Sequence, residues 1–258
     1  MVSLSPATID LCSDRDLGYE RCRTRFAPGE ALLLDEAYRL AQLPLIAPDH
    51  PRVIPRREGA SYEMGRHEQI LSLVLPVPSG LLLGSEAFRA LDAELRTAFA
   101  EKIAWDVQAR RQDKLHATLC GSLAVADEPL PLTEDHRREL SRLGPIEVEL
   151  RGLFSGNVNV GRLYLRAYPE QRSGGNLFQQ VQRALGRRET DLYLVGLYHF
   201  TDDLNVGEAA ILSDIIERWW SRPIMRFRAG HLWLLGARDD LVLDSAVIET
   251  IPLVAPHR

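Results

Sequence analysis

The chain reads as an α+β protein: mainly antiparallel sheet, with helices on one face and the other face left free for a site. Three observations predict this. Apolar runs of strand length, such as "QILSLVLPV", are separated by amphipathic helical stretches. Two strand-like runs, "IEVELRGLFSG" and "NVGRLYLRAY", flank the turn-rich "SGNVNVG" as a hairpin. A strand carrying His-x-Thr occurs in each half of the chain, so the order looks doubled.

Composition bounds the rest. Of 258 residues, 45% are hydrophobic and 26% charged, enough apolar material for a sizeable core. The net charge of −5 gives no global field for nucleic acid, so no long nucleic-acid partner is expected. No apolar run is long enough to span a bilayer, and the first residues lack a basic and then apolar leader. Cys12, Cys22 and Cys120 show no paired spacing. These features predict a cytoplasmic chain that does not engage membranes.

Residues 1–65 stand apart as an N-terminal extension. "APGEALLLDEAYRLAQL" predicts one helix, with Pro28 near its first turn and Leu33, Ala37, Leu40 and Ala41 as its stripe. The proline-rich "PLIAPDHPRVIPRREGASYEMG" follows as a linker or wrapping segment. Residues 66–258 then form the regular domain. "QILSLVLPV" is a strand. "GSEAFRALDAELRTAFAEK" is a helix capped by Ser85 and buried through Phe88, Leu91, Leu95 and Phe99. "IAWDVQA" and "KLHATLCGSL" read as strands, and "TEDHRRELSRLG" as a helix with Thr133 as its cap. After the hairpin come the helix "GGNLFQQVQRALG" and the strand "DLYLVGLYHFT". A helix follows over "NVGEAAILSDIIERWW", where Asn205 and Glu208 have capping-box spacing. "IMRFRAGHLWLLGAR" and "LVLDSAVIETIPL" close the sheet.

Along a strand, residues i and i+2 share a face. His116 and Thr118 therefore project together, as do His199 and Thr201, while Leu115, Ala117, Leu119, Tyr198 and Phe200 face the helices. Two imidazoles and two hydroxyls around one cleft suit a phosphodiester. One imidazole activates water, the other protonates the leaving oxygen, and each hydroxyl donates to a nonbridging oxygen. The arrangement calls for no metal and no cofactor. Arg162, Tyr164 and Arg166 share one face of the hairpin. They are candidates to grip phosphate and stack on a base, or else the solvated side of an amphipathic strand. Arg172, Arg187 and Arg188 lie on flanking loops as solvated charge, and His50, His67, His136, His231 and His257 carry no assigned role.

In their order, "LHATLCGSL", the hairpin, "NLFQQVQRALG" and "LYHFTDDL" resemble the 2H phosphoesterase superfamily, over about residues 68 to 250. That group includes cyclic phosphodiesterases and the 2′-5′ RNA ligases. The resemblance implies two pseudo-symmetric lobes of antiparallel sheet with outer helices and a central cleft, and a catalytic set of His116, Thr118, His199 and Thr201. It implies metal-independent opening of a cyclic phosphate or 2′-linked phosphodiester on a nucleotide, cyclic oligonucleotide or short RNA end. The alternatives are the reverse reaction, 2′-5′ ligation, or a nucleotide-binding module without turnover. Many members carry Arg three residues past the second Thr; Leu204 stands there in this chain, after Asp202 and Asp203. Those two acids read as helix N-terminal charges or as contacts to sugar hydroxyls.

Overall fold

The alternating runs form, in a computed structural model of the chain, one eight-stranded sheet with every registered pairing antiparallel. The structure describes residues 9–125, 128, 131–172 and 175–254. The chain opens with short helices α1 (Tyr19–Cys22), α2 (Glu36–Ala41) and α3 (Leu43–Ile46), then strand β1 (Arg66–Pro76). Helices α4 (Ser79–Gly84), α5 (Glu86–Phe99) and α6 (Trp105–Arg110) lead to β2 (His116–Val125). Next come α7 (Glu134–Arg142), the hairpin of β3 (Ile146–Ser155) and β4 (Arg162–Pro169), a small pair β5 (Gln171–Arg172) and β6 (Gly175–Asn176), and α8 (Leu177–Ala184). Strand β7 (Leu194–His199), α9 (Val206–Trp219), β8 (Pro223–Ala229), β9 (His231–Asp239) and β10 (Ser245–Pro252) complete it.

The spatial order is β10-β9-β1-β2-β7-β4-β3-β8. β2, which carries the first His-x-Thr triplet, and β7, which ends at His199 and so leaves Thr201 outside the strand expected to hold it, are therefore central neighbours. They share a single registered pair, Ala117 with Val195. Four strands lie on each side of that seam.

Caps and stripes form where the residues place them. The Ser85 hydroxyl accepts the Phe88 amide, and Phe88, Leu91, Leu95 and Phe99 are buried. Asn205 and Glu208 make a capping box, and Thr133 makes another with His136 as its return partner. Helix α9 reaches β3 closely because residue 152 is Gly. A methyl there would stand 1.7 Å from the Trp219 carbonyl oxygen.

Several expected elements differ: "IMRFRAGHLWLLGAR", for one, is two strands, β8 and β9, that lie in opposite halves of the sheet. The helix expected from Pro28 is α2, which begins at Glu36 with the Asp35 carboxylate accepting the Tyr38 amide. Residues before it are extended: Leu32 bridges to Leu204, and Leu33 of the expected stripe is exposed. "IAWDVQA" is not a strand. Ile103 makes one bridge to Phe200, and the rest turns into α6.

The N-terminal segment lies across the β4–β7 half of the sheet. The Tyr19 hydroxyl shares its proton between the carbonyls of Ala167 (2.6 Å) and Tyr193 (3.0 Å). The Tyr38 hydroxyl donates to the Phe200 carbonyl at 2.8 Å, and the Leu34 amide donates to Asp203 at 2.7 Å. Asp203 also pairs with Arg52, while Asp202 faces His50 at 3.2 Å and Lys102 at 3.1 Å. The two acids thus anchor the extension and a loop lysine.

Candidate active site

β2 delivers the first triplet to an open cavity of about 280 Å³. His116 and Thr118 line it together, with Arg162 from β4, Ser72 and Val74 from β1, and Asp239 and Asp240 at the end of β9. Thr118 is exposed and Ala117 and Leu119 are buried, as strand alternation requires. His116 Nδ1 lies 2.7 Å from the Lys114 carbonyl oxygen. A carbonyl only accepts, so Nδ1 carries the proton and Nε2 keeps its lone pair. Burial pushes the imidazole down to about 4, the Lys114 carbonyl opposes this, and the charges of Arg111 and Arg162 add to it. At neutral pH His116 is therefore an uncharged base.

Arg162 is placed by glycine. Continuing the Ala117–Val195 register by one residue sets Gly196 of β7 against His116. The guanidinium of Arg162 lies over Gly196, where any Cβ would collide with it. Its Nη1 reaches the Asp240 carbonyl at 3.4 Å, and its Cζ stands 5.2 Å from the Tyr164 ring centroid. The missing side chain thus lets a cation lie flat beside the base.

The second triplet is not in the cavity. β7 carries a one-residue bulge: Leu163 pairs with Tyr198 and Tyr164 with Gly196, leaving Leu197 without a counterpart. The bulge resets the alternation, so His199 pairs with Arg162 and shares its face. Yet His199 is 0% exposed, and neither ring nitrogen meets a protein partner. Burial, and then the charges of Arg162 and Arg111, hold it well below the usual histidine range. Thr201 turns away: its hydroxyl donates to the Lys102 carbonyl at 3.2 Å.

The hairpin candidates divide. Arg162 reaches the cavity. Tyr164 is only 8% exposed and offers no free ring face; it packs against Phe154 and backs Arg162. Arg166 is not a substrate contact here. It is fully buried, donates to Asp14, the Tyr168 hydroxyl and the Trp220 carbonyl, and stacks 3.7 Å from the Trp220 ring. The same strand face that is open at Arg162 is covered near Arg166 by the N-terminal segment. Arg172 is half-buried and bonded to Glu170 and to the carbonyls of Leu143 and Pro145. Arg187 donates to the carbonyls of Gly121 and Ser122 at the rim of the cavity.

Two groups carry no signal in the pattern. Arg111, the residue after α6, is 1% exposed, and none of its three guanidinium nitrogens meets a protein acceptor. Burial and the Arg162 charge push it down to about 9. His67 of β1 also lines the cavity. Its Nδ1 faces the Glu68 carbonyl at 2.6 Å, and its Nε2 faces Asp240 at 3.5 Å, where the Tyr62 hydroxyl also donates. Burial works against its charge, but Asp240 and the Glu68 carbonyl outweigh it and raise His67 above its usual value. His257 lies outside the described residues. Among the described residues, no group of three His, Cys, Asp or Glu side chains is placed to hold a metal ion, and no helix is long and apolar enough to cross a membrane.

The molecule is thus a mixed α/β protein with a polar cavity over the centre of an antiparallel sheet. No family model matches the chain, and no curated protein matches it. Among solved structures, the crystal structure of TT0787 of Thermus thermophilus is similar over 73% of this chain and 100% of that one. The identity is 14% and the TM-score 0.42, a likeness that defines neither a family nor an activity.

Proposed function

We propose that this chain is a metal-independent phosphodiesterase acting on a cyclic phosphate or 2′-linked phosphodiester of a nucleotide or short RNA end. One observation carries the reading: His116, Thr118 and Arg162 meet in one cavity, with the tautomer of His116 fixed to leave Nε2 as a base. In this reading Nε2 takes a proton from the attacking water. The Thr118 hydroxyl donates to a nonbridging oxygen, and Arg162 offsets the charge that builds there. The seam between two four-stranded halves supports viewing the sheet as two lobes that share a cleft.

The leaving ribose oxygen takes its proton from a second histidine. His199 is the counterpart by motif, pairs with Arg162 and is fully buried. His67 is the rival donor, since it already lines the cavity and Asp240 favours its charged form. The test is turnover of 2′,3′-cyclic nucleotides, 2′-5′ dinucleotides and cyclic oligonucleotides in EDTA. Wild type is compared with His116→Ala, His199→Ala and His67→Ala. Activity that survives EDTA and collapses in His116→Ala and in one of the other two variants supports the mechanism and names the acid. Activity abolished by EDTA refutes metal independence. Nucleotide binding without turnover makes the chain a binding module, and joining of 2′,3′-cyclic and 5′-hydroxyl ends makes it a ligase.

A further inference from the structure

Close to Arg162 and His116 the protein buries a guanidinium whose nitrogens meet no hydrogen-bond acceptor, that of Arg111. Arg111 is held where α6 gives way to the turn before β2; its amide donates to the Val107 carbonyl and its own carbonyl accepts from Lys114. That turn directs its side chain inward, among Arg162, Tyr164, Asp239 and both histidines, all within electrostatic reach. Asp239 is the carboxylate whose charge favours the Arg111 cation, but its oxygens bond to backbone amides and not to the guanidinium. They accept the amides of Leu241 and Leu243 on Oδ1 and of Asp244 on Oδ2. Arg162 adds a second cation, with a buried Nε that also lacks a partner. A desolvated guanidinium without acceptors is costly, and two adjacent ones repel. Sites of this kind are complementary to a compact oxyanion, whose several acceptor oxygens satisfy N–H groups from more than one side.

We propose that Arg111 is a phosphate-binding residue: with Arg162 it grips the phosphoryl group beside His116, supplying the cation that the Leu204 position lacks. The choice of phosphate rests on the phosphodiesterase reading; the site itself rests on the unpartnered guanidinium. In this proposal the anion enters from the cavity by displacing Arg162, which lines the cavity and bonds to the Asp240 carbonyl at 3.4 Å. An anion so placed offsets the two arginine charges that face His199, so the site and the proton carriers act on one group.

The experiment uses the full chain, with inorganic phosphate as the probe and chloride at equal ionic strength as the control. Thermal unfolding and titration calorimetry are run on wild type, Arg111→Met and Arg111→Lys. The expected result is a saturable rise of the wild-type Tm with phosphate. Arg111→Met weakens phosphate affinity by about 30-fold or more. Without phosphate, Arg111→Met melts no lower than wild type, because an apolar side chain of similar length removes an uncompensated charge. Arg111→Lys retains part of the response. Absence of any phosphate effect on wild type overturns the proposal, as does equal affinity in Arg111→Met. So does Arg111→Met unfolding while Arg111→Lys keeps wild-type stability and affinity, which marks a structural cation. If cyclic-nucleotide turnover depends on His116 but phosphate binding ignores Arg111, this inference fails and the phosphodiesterase reading stands. If phosphate binds through Arg111 and no phosphodiester is turned over, the reading fails and the anion site stands.

Discussion

Gly196→Ala tests the placement of Arg162 without removing any group that carries chemistry. A methyl at 196 would stand 2.0 Å from Nη2 and 2.4 Å from Cζ of Arg162. Ordinary contact begins at 3.4 Å, so the guanidinium must retreat by about 1.4 Å, the difference between 3.4 and 2.0 Å. The displaced atoms are the far end of a flexible side chain, and the backbone at Gly196 lies outside the left-handed region. The fold therefore absorbs the change. Alanine in a strand also recovers roughly 0.5–1 kcal/mol of the glycine penalty, so net stability moves by less than about 1 kcal/mol. Activity does not absorb it. A shift of about 1 Å in a charge-stabilising group costs on the order of 100-fold, or ~2.7 kcal/mol of barrier. The assay is kcat/KM on a 2′,3′-cyclic nucleotide beside a urea midpoint. Wild-type kcat/KM with unchanged stability refutes a working role for Arg162 beside His116. A stability loss above about 2 kcal/mol refutes the claim that Gly196 serves the side chain rather than the packing.

Gly152→Ala is the contrasting case: its methyl meets the Trp219 backbone, which cannot swing aside, so we expect more than about 3 kcal/mol of destabilisation by urea unfolding. His116→Gln should flatten the pH dependence of stability. The unfolded imidazole protonates near 6.5 and the folded one near 4, so wild-type stability is full above 6.5 and falls as pH drops toward 4, by roughly 3 kcal/mol from this residue. The difference between wild-type and Gln midpoints across about pH 4–7 measures it, and a constant difference refutes it. Asp203→Ala removes the acceptor of the Leu34 amide and the partner of Arg52. It should cost about 1–3 kcal/mol and speed tryptic cleavage after Arg25 relative to wild type.

The sheet and its longer helices are legible in the sequence because their signals are local. Ser85 and Asn205 cap within three residues, and Phe88, Leu91, Leu95 and Phe99 repeat on one helical face. His116 and Thr118 are legible for the same reason, since strand parity alone sends both to one side. The second triplet is half legible. Its face depends on the bulge at Leu197, and the strand stops at His199, where Tyr38 and Leu34 of the N-terminal segment bond to Phe200 and Asp203. Alternation cannot report either. Arg166 departs from its expected role because parity gives the face but not what covers it. "IAWDVQA" alternates over a stretch too short for helical periodicity to show, so α6 passes for a strand. Arg111 is invisible for that reason as well. Beside Arg110 and Gln112 it looks like any solvated arginine, and only the turn after α6 sends it inward.

The cover formed by the N-terminal segment also sets the order in which the molecule can be made. Tyr19 and its acceptor Tyr193 are 174 positions apart, and Tyr38 and Phe200 are 162 apart. At about 5–20 residues per second, synthesis of Tyr193 trails that of Tyr19 by on the order of 10–35 s. Through that interval Tyr19, Leu34 and Tyr38 have no seat. This early stretch therefore cannot complete its contacts until β7 has been made. Native-state hydrogen exchange should carry the trace of this history: amides such as Cys12, Leu34 and Gln42 open at lower free energy than those of β1 and β2, because the cover can lift while the sheet stays closed.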